Sequence, residues 1–226
     1  ATTCAAVCPF MVKAHPAHAQ TSEIVAMTIL KAAASCNMPD GIFSHVHGAN
    51  IEVGKILVQH PYTKAVGFTG SYMGGKQLFD WGNQRKEPIP VFAEMGSVNP
   101  VFLLPEKMKT DAAEIARMYA ASVTLGVGQF CTNPGIIIGL ESKELTVFTE
   151  ELGKEIKKAA PGTMLHPGIF KNYRKKKDHA LSQQGVETVG YSETKPLLNQ
   201  GSPTIASATG KTFLSNPVLH QEVFGP

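Results

Sequence analysis

Apolar and polar positions along this chain repeat with two periods. The short apolar runs Val7 to Val12, Ile42 to Val46 and Ala65 to Phe68 have the length of buried strands. Between them, Ser22 to Cys36 and Ile51 to Gln59 carry apolar residues at helical spacing. In the first of these the repeat runs through Ile24, Val25, Met27, Ile29 and Leu30 and stops at Asn37-Met38-Pro39-Asp40-Gly41. A helix from Tyr72 to Asn83 follows the third run, and Pro88 to Ala93 reads as another extended segment. Beyond it, the run Val101 to Leu104 precedes a helix over Ala112 to Val127, with Ile115, Met118, Tyr119, Val123 and Leu125 on its apolar side. Ile136 to Leu140 is apolar again, Glu144 to Lys158 is amphipathic, Tyr173 to Gln184 is helical and Val186 to Gly190 is a short strand. Leu197 to Gly210, polar and rich in Ser, Thr and Gly, reads as a loop or irregular hairpin. Strands alternating with helices predict an α/β fold of βαβ units around a mostly parallel sheet.

A chain of 226 residues can bury a substantial core and fits one large or two small domains. Its 43% hydrophobic and 17% charged content is that of a soluble globular protein, with no run long enough to span a bilayer. The formal charge of +3 is small, and much of it comes from Lys171, Arg174, Lys175, Lys176 and Lys177. These read as a solvated helix face, because no aromatic interleaving marks a nucleic-acid partner. The four cysteines, Cys4, Cys8, Cys36 and Cys131, lack the paired spacing of a zinc site, so no metal is expected and reduced thiols in a cytoplasm are. Ala1-Thr2-Thr3-Cys4 carries neither an initiator Met nor a signal-peptide core, and reads as the start of a chain cut from something longer.

Three places carry candidate chemistry. In Gly128-Gln129-Phe130-Cys131-Thr132-Asn133-Pro134-Gly135 a cysteine sits among turn-forming residues between a helix and an apolar run. A thiolate there suits nucleophilic attack on a carbonyl carbon; the competing reading is a small buried core residue. The third strand runs into Gly67-Phe68-Thr69-Gly70-Ser71 ahead of a helix, which places backbone N–H groups for a phosphate, with Gly70 admitting close approach. An ordinary capped turn is the competing reading. Glu94, after an apolar stretch and before Met95-Gly96-Ser97, is either a general base at a cleft or a surface acid at a strand end.

Taken together, Phe92-Ala93-Glu94-Met95-Gly96, Gly128-Gln129-Phe130-Cys131 and Glu222-Val223-Phe224-Gly225-Pro226, with Gly67-Phe68-Thr69-Gly70-Ser71 upstream, resemble the NAD(P)-dependent aldehyde dehydrogenase superfamily across essentially the whole chain. The variants Lys13-Ala14-His15-Pro16-Ala17-His18 and Ser97-Val98-Asn99-Pro100-Val101-Phe102-Leu103-Leu104-Pro105 look most like the branch of 2-oxoglutarate semialdehyde dehydrogenases, with NADP-linked fatty-aldehyde dehydrogenases nearby. The resemblance implies part of a Rossmann-type coenzyme domain over residues 1–95, followed by part of an α/β catalytic domain over 96–226.

It also implies roles. Cys131 would add to the aldehyde, the thiohemiacetal would give hydride to the nicotinamide, and Glu94 would activate the water that cleaves the thioester. The Cys131 amide would donate to the oxyanion. Thr69, Gly70 and Ser71 match positions around the nicotinamide and pyrophosphate, Glu222 the nicotinamide ribose, Phe224 the ring beside it, and Lys13 the adenosine ribose. Many NAD-preferring relatives place a glutamate where this chain has Pro16; without that carboxylate, Lys13 and His15 favour NADP, with NAD as the alternative. The expected substrate is a small aldehyde, foremost 2-oxoglutarate semialdehyde, and the expected assembly a dimer or tetramer, with no nucleic-acid or membrane partner. The glycine and lysine that usually follow Gly96 are here Ser97 and Val98. The family's asparagine oxyanion donor falls before Ala1, so the chain by itself is expected not to turn over. A truncated product that binds nucleotide or a partner without catalysis is the competing function.

Overall fold

The computed structural model describes residues 8–226, so Cys4 and Val7 lie outside the described residues. The chain divides into two compact units, Ala1–Met95 and Gly96–Pro226.

The first unit contains two βαβ units. Strand β1 (Phe10–Lys13) and β2 (Phe43–Val46) are joined through α1 (Ala19–Ser35) and pair in parallel from Phe10↔Phe43 to Lys13↔Val46. A 3-10 turn, Pro16–His18, leads into α1. After α2 (Ile51–Gln59), β3 (Val66–Thr69) and β4 (Val91–Glu94) flank α3 (Tyr72–Asn83) and pair in parallel from Val66↔Val91 to Thr69↔Glu94. Asn50 starts α2 and Ser71 starts α3, each side chain accepting a hydrogen bond from a first-turn amide. Arg85 ties the end of α2 to the turn before β3, donating to the carbonyls of Val58 at 2.7 Å and Thr63 at 2.9 Å. The first strand is not the buried strand that its composition predicts: Met11 and Val12 are 50% and 38% exposed. Helix α1 buries only the small Ala26, leaving Ile24, Val25, Met27 and Leu30 on the surface. Apolar periodicity marks a face that can be covered; it does not supply the cover.

The second unit opens with a third βαβ unit, β5 (Pro100–Leu103), α4 (Pro105–Thr124) and β6 (Ile136–Gly139), paired in parallel from Pro100↔Ile136 to Leu103↔Gly139. Helix α5 (Lys143–Lys158) packs along α4, and Phe148, Leu152 and Ile156 meet Ala112, Ala116, Tyr119, Ala120 and Val123. The predicted apolar side of α4 is thus only partly the buried one, since Met118 and Leu125 are each 65% exposed. Alanines at four-residue spacing let the second helix come close, and the larger side chains are turned away. The helix starts seven residues before Ala112, with Pro105 at its first turn and a kink at Asp111. After β7 (Gly162–Thr163) and α6 (Pro167–Leu181), β8 (Val186–Tyr191) pairs antiparallel with β10 (Thr204–Ala208), and β7 pairs antiparallel with β9 (Gln200–Gly201). The stretch expected to be a loop or irregular hairpin is therefore half strand, bulged between Ile205 and Ala206. A short helix, α7 (Gly210–Ser215), follows. Among the described residues the strands form three parallel and two antiparallel pairs rather than one sheet, and no helix is long and apolar enough to cross a membrane.

Candidate active site

The chain leaves α4 through a turn that the helical pattern did not predict. Gly126, Val127 and Gly128 take φ values of 55°, 59° and 64°. Two of these suit glycine, but Val127 is β-branched and disfavoured there, so surrounding contacts must hold it. A methyl of Val127 fills the space beside Gly162, where a Cβ would stand 2.5 Å from it. This turn presents Gln129 to Pro134 as a surface loop. Gln129 pins its start, donating to the Gly126 carbonyl at 3.2 Å and accepting from the Leu165 amide at 2.8 Å. Asn99, itself left-handed at φ 40°, donates from Nδ2 to the carbonyls of Cys131 at 2.8 Å and Asn133 at 3.0 Å. The Tyr119 hydroxyl donates to the Pro134 carbonyl. Burial pushes that phenol up, so it remains a donor across the physiological range.

Cys131 is exposed and forms no disulfide, which removes the reading of a buried core cysteine. Its carbonyl is held by Asn99 while the residue itself is exposed. Tyr119→Phe should lower the unfolding free energy by about 1–3 kcal/mol, since it orphans a carbonyl on this loop. Urea denaturation of the two proteins measures the difference.

The chain's last residues lock onto the same loop. Glu222 Oε1 accepts from the Ser97 amide at 3.3 Å, and a Cβ at Gly96 would lie 2.1 Å from Oε2, so only glycine admits the carboxylate. The Ser97 hydroxyl in turn donates to Asn99 Oδ1 at 3.0 Å. A continuous set of hydrogen bonds therefore joins Glu222, Ser97 and Asn99 to Cys131. Asn133 Nδ2 donates to the Gly225 carbonyl at 3.4 Å, and Phe224 is half-buried beside it in sequence. The Tyr173 hydroxyl lies 2.6 Å from the carbonyls of Ser202 and Pro226. Ser97 and Asn99 were not singled out by the sequence as site residues; the one available signal was an Asn-Pro step, where asparagine tolerates the left-handed backbone.

The basic run on α6 is only partly the solvated face expected. Lys171, Arg174 and Lys175 are exposed, but Lys176 donates to the Glu222 carbonyl at 2.9 Å. Lys177 lies 5.1 Å over the Tyr173 ring, and burial pulls its pKa down. Of the two, Lys176 helps to seat the final segment through the Glu222 carbonyl.

In the first unit, Thr69 and Glu94 are register partners at the ends of β3 and β4, and the Gly70 amide donates to the Glu94 carbonyl at 3.0 Å. Thr69, Gly70, Ser71 and Glu94 are all exposed. The Ser71 hydroxyl accepts from the Gly74 amide at 3.2 Å, so the capped turn predicted as an alternative is present. A Cβ at Gly70 would stand 2.6 Å from the Phe68 ring, so this glycine makes room for Phe68 rather than only for a ligand. No acidic residue occupies the first turn of α3, and Tyr72 and Met73 are exposed there, which suits an anion at the helix's positive end. Lys13 ends β1 half-buried; His15 Nδ1 accepts from the Ala17 amide at 3.2 Å and caps the 3-10 turn that Pro16 begins. Cys36 is exposed and outside any disulfide, as Cys131 is.

The profile of the aldehyde dehydrogenase family matches residues 2–226. Alpha-ketoglutaric semialdehyde dehydrogenase 2 of Azospirillum brasilense is 41% identical over 226 residues, covering 100% of this chain and 43% of that protein. Alpha-ketoglutaric semialdehyde dehydrogenase of Acinetobacter baylyi is 41% identical over 223 residues, covering 98% and 42%. The chain thus spans less than half the length of these relatives. Among solved structures, succinic semialdehyde dehydrogenase from Streptococcus pyogenes, in complex with NADP+, superposes with a TM-score of 0.73 at 21% identity, over 96% of this chain and 47% of that one. At that identity the likeness concerns the fold.

Proposed function

This chain belongs to the aldehyde dehydrogenase family, and we propose that within the whole protein it serves an NADP-dependent oxidation of 2-oxoglutarate semialdehyde to the carboxylate. The observation that carries this substrate is the 41% identity, across the full chain, with two enzymes named for that aldehyde. Cys131 is the nucleophile. Its thiolate forms a carbon–sulfur bond to the aldehyde carbon, while the carbonyl oxygen takes the negative charge and meets the Cys131 amide. NADP, when bound, supplies the acceptor for the hydride that leaves this adduct. Glu94 then takes a proton from water as the water's oxygen attacks the acyl carbon, and sulfur leaves with the departing bond's electrons. Asn99 positions the nucleophile through its carbonyl. Esterase or thioesterase chemistry of the same pair needs no hydride acceptor and would appear as ester hydrolysis without coenzyme.

The chain's residues fit a dinucleotide. Ser71 and the open first turn of α3 suit the pyrophosphate, Thr69 and Gly70 the nicotinamide side, Glu222 a ribose diol and Phe224 the ring beside it. Lys13 holds the adenosine ribose and its 2′-phosphate. Lys13, with His15 two residues on and no carboxylate at Pro16, offers the positive charge that favours NADP. Lys13→Ala is expected to lower the ratio of kcat/KM with NADP to that with NAD by about 10- to 100-fold, the worth of a charged hydrogen bond. An unchanged ratio would remove Lys13 from this role.

The substrate test supplies 2-oxoglutarate semialdehyde, and separately medium- and long-chain aldehydes, to a protein carrying these residues, and follows NADPH. Preference for the fatty aldehydes would move the assignment to the neighbouring branch. We also infer a cytoplasmic homo-oligomer, in keeping with the exposed thiols Cys36 and Cys131; light scattering on the whole protein tests the assembly.

A further inference from the structure

We propose that Glu23, His45 and His47 form a binding site for a divalent transition ion, with Zn2+ as its reference occupant. These residues are 22 or more positions apart along the chain except for the two histidines, so no metal-binding spacing marks them in the sequence. Glu23 lies in the second turn of α1; His45 is in β2 and His47 just beyond it, two residues apart and so on one side of the extended chain. One ligand atom from each of the three lies within 4.8 Å of the other two. Glu23 Oε2 is 2.8 Å from His47 Nε2 and 3.4 Å from His45 Nδ1. Ligands at about 2.0–2.1 Å from a tetrahedral Zn2+ stand about 3.3 Å from one another, so small side-chain rotations bring all three onto an ion.

Two features favour an ion over a hydrogen-bonded cluster alone. The Ser22 hydroxyl lies 2.7 Å from His45 Nε2, which leaves Nδ1 directed at the carboxylate, the outer support that metal-binding imidazoles commonly have. Burial is graded as well: the His45 side chain is 8% exposed, while His47 and Glu23 are 47% and 52% exposed. A hydrated ion can therefore enter from solvent, reach a fixed imidazole and keep water in a remaining position. Two imidazoles and one carboxylate suit Zn2+, Co2+ or Ni2+ and not Mg2+ or Ca2+, which take oxygen ligands. Bound, the ion would tie the start of α1 to the end of β2.

Calorimetric titration of the full chain with Zn2+, and its optical spectrum with Co2+, test the site. One saturable Zn2+ per chain is expected, with affinity reduced more than about tenfold by His47→Asn and by Glu23→Gln, and about tenfold by Ser22→Ala. Circular dichroism verifies that these variants fold, and the two exposed ligands are chosen so that they do. The Co2+ spectrum should show d–d bands without thiolate charge transfer, which separates this site from Cys8, Cys36 and Cys131. Absence of saturable binding, binding unchanged in both His47→Asn and Glu23→Gln, or a thiolate band would overturn the proposal.

Discussion

Cys131→Ser should reduce NADP-linked aldehyde oxidation to background, a loss on the order of 10⁴-fold or more, as when a covalent nucleophile is removed from other enzymes. A serine hydroxyl is a weak nucleophile at its ordinary pKa, and no base is assigned to activate it. The substitution changes one atom of an exposed residue, and the loop is held through groups that it does not touch. Asn99 grips the carbonyls of residues 131 and 133, and Tyr119 that of Pro134. The variant should therefore melt as the parent does, and coenzyme binding should survive. Initial rates, a thermal melt and a coenzyme titration distinguish the outcomes. Full dehydrogenase activity in a folded Cys131→Ser protein would end the proposed role, and with it the thioester route.

Gly128→Ala should destabilise the second unit by roughly 3 kcal/mol and loosen the segment from Glu222 to Pro226. Gly128 is buried at φ 64°, where a left-handed L-residue costs about 1–2 kcal/mol. Its new Cβ would stand 2.3 Å from the Gly225 carbonyl oxygen and 2.5 Å from the carbonyl carbon. These are backbone atoms that cannot swing aside, so the loop or the final segment must move. Either movement disturbs Asn133 and Gly225, which meet here. Gly54→Ala is the contrast: it lies inside α2 with nothing within 4 Å of a new Cβ, and should add up to about 1 kcal/mol through helix propensity. Denaturant melts of the three proteins report the signs. A neutral Gly128→Ala would mean that the Gly128–Gly225 contact does not constrain the loop.

Helices α2 and α3 run over the residues that the sequence pattern assigns to them, Ile51–Gln59 and Tyr72–Asn83. Both begin at a residue that caps locally, Asn50 and Ser71, so neighbours in the chain contain the whole signal. Helix α4 was legible in its body but not at its ends. Its first turn, Pro105-Glu106-Lys107-Met108, is more charged than apolar, and its exit at Leu125 depends on left-handed residues that periodicity does not show. The strand Thr204–Ala208 was hidden because its partner, Val186–Tyr191, is separated from it by a polar stretch and nothing local announces the pairing. On α6 the lysines looked alike in sequence, and only packing against Tyr173 and Glu222 distinguishes Lys176 and Lys177 from Lys175.

By itself the sequence determined the order of strands and helices from β1 to α5, the turn-forming loop that carries the cysteine, and the short motifs on which the family likeness rests. These depend on residues within a few positions of one another, where backbone preference and apolar spacing act directly. The fold alone decided which of those pieces meet. Asn99 reaches Cys131 across 32 positions, Asn133 reaches Gly225 across 92, and Glu23 reaches His47 across 24. Contacts over such separations follow from how helices and strands pack in three dimensions, and no local pattern in the chain encodes them.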